Sequence, residues 1–82
     1  MKITKKMEKM INTIVEQVYS KIGDGVQVPM LSLPLIYRAG KNLLRDFVIK
    51  YEIVKPSREI LDDMISGAVR SMQIEIDKVR TN

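Results

Sequence analysis

Two short breaks, Gly23-Asp24-Gly25 and Lys55-Pro56-Ser57, interrupt this chain. On both sides of each break, apolar residues recur at the three-and-four spacing of a helix face. A stripe of that kind must be buried against another element. Three stripes and two breaks leave few folds open.

The first stripe is Ile3, Met7, Met10, Ile11, Ile14, Val15, Val18, Tyr19 and Ile22, with Lys2, Lys6, Lys9, Thr13, Glu16 and Ser20 opposite. It predicts a helix over about 3–22, stopped by Gly23. In "VQVPMLSLP" the residues Val26, Val28 and Met30 alternate with polar or turn residues, and two prolines argue against a helix. This reads as a connector with one edge strand. Ser32 is then the cap and Pro34 the first-turn proline of a second helix, about 34–54. Its stripe is Ile36, Ala39, Leu43, Leu44, Phe47, Val48, Tyr51 and Val54. Pro56 ends what precedes it and Ser57 caps a third helix, about 57–79. Glu59, Asp62 and Asp63 sit in its opening turns, where carboxylates meet the positive end of the helix dipole. Its stripe is Ile60, Leu61, Met64, Ile65, Ala68, Val69 and Met72, with Ile74 off the face.

The expectation is therefore a mainly α single domain, 1–82, of three amphipathic helices. Residues 47–54 and 72–78 also alternate like strands, and a chain that used them so would be α+β. Gly40 and Gly67 fall inside helical patterns and are read as points of close helix packing. Three wide stripes in so short a chain, with no staple, predict a homodimer.

Composition narrows the chemistry. There is no Cys, so disulfides, thiolate metal sites and thiol nucleophiles are excluded. There is no His, the commonest metal ligand and general base. No carboxylate pair and no Ser or Lys with a base has a catalytic spacing. The expectation is a non-enzymatic protein with no cofactor and no metal. "GDG" lacks the residues of a phosphate loop and reads as a helix stop. No apolar run approaches the ~18 residues of a membrane span, and the start lacks a signal-peptide core. A cytoplasmic protein is expected.

The formal net charge is +4. Residues 1–25 carry five basic and three acidic groups, 26–58 six and two, and 59–82 three and five. The positive maximum falls on the second helix. There Arg38, Lys41 and Arg45 lie within about 60° of one another, with Asn42 beside them. Basic side chains at that spacing bind consecutive phosphates. Lys5, Lys6 and Lys9 offer further phosphate contacts, and Asn42 a base-edge reader. The first expectation is a small DNA-binding or nucleoid-type regulator. The second is a protein-interaction module, an assembly subunit or an inhibitor, using the acidic face or the Met-rich first helix. The stripe also fits a plain solvated helix back.

The segment Pro34 to Phe47, "PLIYRAGKNLLRDF", resembles a little the C-terminal helix region of HU-type nucleoid proteins, through its Pro, Gly-Lys, Leu and basic-Asp pair. Here an extra residue separates Pro34 from Gly40, and another separates Lys41 from Arg45-Asp46. The glycine-rich β-arm of those proteins has no counterpart. No site is carried across.

Overall fold

A computed structural model describes residues 2–80. Among them are three α-helices, α1 (Lys5–Ile22), α2 (Leu33–Tyr51) and α3 (Arg58–Val79), with a 3-10 turn at Met30–Ser32 before α2. The described residues form no strand. Residues 47–51 and 72–78 are helical, so the mainly α expectation holds. The edge strand expected near Val26 is absent, and the connector leads into the 3-10 turn instead.

Local chemistry accounts for the helix ends. The Thr4 hydroxyl accepts a hydrogen bond from the Met7 N–H, so α1 starts at Lys5 and Ile3 lies before it. Ser57 does the same for α3, accepting from the Ile60 N–H. Ser32 makes no side-chain cap bond; the preceding turn enters α2 directly, with Pro34 in its opening positions.

The end of α2 differs from expectation. It stops at Tyr51, not at Val54. Glu52 takes a left-handed conformation, φ 50° and ψ 48°. Its N–H reaches the Ile49 carbonyl at 3.4 Å, and the Ile53 N–H reaches the Val48 carbonyl at 3.0 Å. This is a Schellman termination, with Glu52 where glycine is usual. Its hydrophobic partners are Val48 and Ile53, both buried. The turn swings Ile53 into the core and puts Tyr51 and Val54, assigned by spacing to the stripe, at 57% and 71% exposure.

The three stripes close one core within a single chain. Ile11, Val15, Ile36, Leu44, Val48, Met64, Met72 and Ile76 are essentially inaccessible. Each such side chain contributes about 1.5–3 kcal/mol on burial. Both helical glycines serve close packing. A Cβ on Gly40 would lie 2.6 Å from Met72 Sδ, and one on Gly67 would lie 2.8 Å from Leu43 Cδ2.

The cross-helix contacts also set direction. Glu8 with Arg45 and Tyr19 with Tyr37 run α1 against α2. The Ser71 hydroxyl donates to the Ala39 carbonyl, and Gly67 meets Leu43, running α2 against α3. So α1 and α3 are parallel, with Glu8 level with about residue 65.

Candidate nucleic-acid interface

The outer face of α2 carries the predicted basic stripe. Arg38, Lys41 and Arg45 line one shallow depression of about 540 Å³, together with Leu33, Pro34 and Tyr37. A straight helix positions them, because i, i+3 and i+7 share a face. Pro34 suits the opening of α2, so the first wall of the depression is set by backbone geometry.

The three cations are not equivalent. Arg38 is exposed. Lys41 is half-buried. The Arg45 guanidinium donates to the Glu8 carboxylate of α1. That hydrogen bond holds the Glu8 carboxyl below its ordinary range; burial opposes it, and the charges of Arg45 and Lys41 add to the lowering. The same bond raises the Arg45 pKa. Glu8 therefore partly neutralises the C-terminal end of the stripe.

An aromatic pair backs the depression. The Tyr37 ring lies 5.1 Å from that of Tyr19, tilted by 46°. Burial pushes the Tyr37 hydroxyl up, aided by Tyr19 and Glu16, so the phenol stays a neutral donor at physiological pH.

The other predicted contacts are distributed differently. Asn42 is exposed beside the stripe but does not line the depression. Lys5 is exposed in the first turn of α1. Lys6 and Lys9 line a separate trough between α1 and α3. Its volume is about 740 Å³, and its walls include Met7, Met10, Ile14, Leu61 and Ile65.

Tyr37 lines the depression and Glu8 pairs with Arg45 at its end, and neither was among the predicted residues. Both were readable only in part. Tyr37 precedes Arg38 in the opening of α2, but its role depends on Tyr19, which the fold supplies.

Among the described residues no three His, Cys, Asp or Glu side chains are grouped to hold a metal ion. No helix there is long and apolar enough to cross a membrane. No known protein family, curated protein or solved structure matches this chain.

Proposed function

We propose that this chain is a small basic DNA-binding protein of nucleoid or regulatory type, working in the cytoplasm without catalysis or cofactor. The observation that carries the reading is the convergence of Arg38, Lys41 and Arg45 on one depression beside Tyr37. A rigid helix holds the three cations in a stripe that spans ~10 Å over two turns, a reach suited to consecutive phosphates. Arg38 and Lys41 make the first contacts. Arg45 is shared between Glu8 and phosphate. Lys5 adds charge from α1 and Asn42 reaches a base edge, while Lys6 and Lys9 line the separate α1–α3 trough and are not needed for this contact. Affinity comes from phosphate neutralisation and counterion release, with little reading of sequence.

Glu8 makes this testable. Phosphate must compete with its carboxylate for Arg45. Replacing Glu8 by Gln leaves the shape and removes the competitor. Duplex DNA should then bind several-fold more tightly at low salt, as measured by fluorescence anisotropy. Unchanged affinity would show that DNA does not use this face.

The α1–α3 trough favours a second reading, a protein-interaction module such as an assembly subunit or an inhibitor of a larger protein. An apolar groove with a charged rim is how amphipathic helices are received.

A further inference from the structure

The trough between α1 and α3 carries charge of one sign. Among the described residues Lys6, Lys9 and Lys55 line it, and no carboxylate does. Its floor is formed by Met7, Met10, Ile14, Leu61 and Ile65. Val54 stands 71% exposed at its edge. Met7 and Ile14 belong to the core, while the half-buried Met10, Leu61 and Ile65 leave an apolar strip open to solvent beside Val54.

The complementary charge is on the same chain. Glu59 and Asp62 are exposed, three residues apart on one face of α3. Asp62 is three residues before Ile65, about 60° round the helix, and so flanks the trough on its α3 side. Among the described residues neither carboxylate forms an ion pair, and neither do the three lysines. Height matters as much as face. The Glu8–Arg45 and Leu43–Gly67 contacts place Lys6 and Lys9 within about one turn, ~5 Å, of Asp62 along the bundle. At the level of Lys6 and Lys9 the face is basic on α1, and on α3 it carries Glu59 and Asp62 against the single cation Arg58.

We propose that the trough is the interface of a symmetric dimer, covered by a second copy of this chain. A two-fold axis along the trough, parallel to both helices, sets α1 of one copy against α3 of the other at the same height. Lys6 and Lys9 then face the partner's carboxylates twice over, and the apolar floors meet. An axis across the trough would set α1 on α1 and leave lysines and carboxylates apart. Charge selects the first arrangement.

The test is sedimentation equilibrium on three samples. The wild type should be a dimer of 9.4 kDa chains. Lys6→Glu/Lys9→Glu and Glu59→Lys/Asp62→Lys should each dissociate at least tenfold more readily. An equimolar mixture of the two variants should recover the dimer, because each reversed helix then meets its complement. Recovery also proves that both variants fold. A wild type monomeric at about 1 mM, a Kd too weak to matter, overturns the proposal and gives the trough to another partner. So does a dimer indifferent to both reversals. Arg38→Ala/Lys41→Ala should leave association unchanged, which separates this proposal from the DNA-binding one.

Discussion

Arg45 of α2 and Glu8 of α1 form an ion pair across 37 residues of sequence, and that pair lies at the end of the basic depression. It joins the two helices and withholds part of one cation from solvent.

The pair gives a pH signature. Glu8 is depressed from its ordinary 4.5 in the folded chain. A carboxylate with a lowered folded pKa contributes stability above its unfolded value and loses it as pH falls through the folded one. Its side chain is 35% exposed, so solvent screening keeps the contribution under about 1 kcal/mol. Glu8→Gln should therefore cost little at pH 7, and the difference from wild type should shrink as pH falls below 4.5 and vanish once it passes the lowered folded value. Urea melts across that range check it.

Gly40 and Gly67 should respond differently to alanine. Alanine is the better helix former by about 1 kcal/mol at either position. At Gly40 the added Cβ meets both Sδ and Cγ of Met72, at 2.6 and 2.9 Å, and Met72 is fully buried. Gly40→Ala should destabilise by about 1–2 kcal/mol from overpacking. At Gly67 the close atom is a terminal methyl of Leu43, a half-buried side chain free to turn. Gly67→Ala should fall within about 0.5 kcal/mol of wild type. Thermal melts of the two variants compare them directly.

Glu52 occupies a left-handed position that ordinarily selects glycine. Glu52→Gly should raise stability by about 0.5–1 kcal/mol, the relief of that backbone penalty less the added freedom of the unfolded chain. A loss of stability on chemical denaturation would mean that the Glu52 side chain matters to the turn.

Much of this fold was legible in the sequence, and the particular residues show why. Ser57 after Pro56 marked the start of α3 because capping is a local event. Gly40 and Gly67 signalled close packing because nothing else justifies glycine inside a helix. The end of α2 was not legible. Its stripe runs on through Val54, and the termination uses Glu52, a residue with no preference for the left-handed region. The turn was decided by the burial of Ile53 against Val48, a tertiary gain. The site was half legible. One helix carries Arg38, Lys41 and Arg45, so their spacing was enough to group them. Glu8 could not be joined to Arg45, nor Lys6 to a trough against Leu61, without the register between helices.

The measurement that tests the central claim is a titration of random-sequence duplex DNA at two salt concentrations. It compares the wild type with Arg38→Ala/Lys41→Ala/Arg45→Ala, both shown to be folded by circular dichroism. If about six phosphates are neutralised, the slope of log K against log salt should be near −5. The triple variant should lose about half of that slope and at least tenfold in affinity at low salt. A wild type that fails to bind at low salt, or a variant that binds as well, would contradict the account and leave the α2 stripe a solvated helix face.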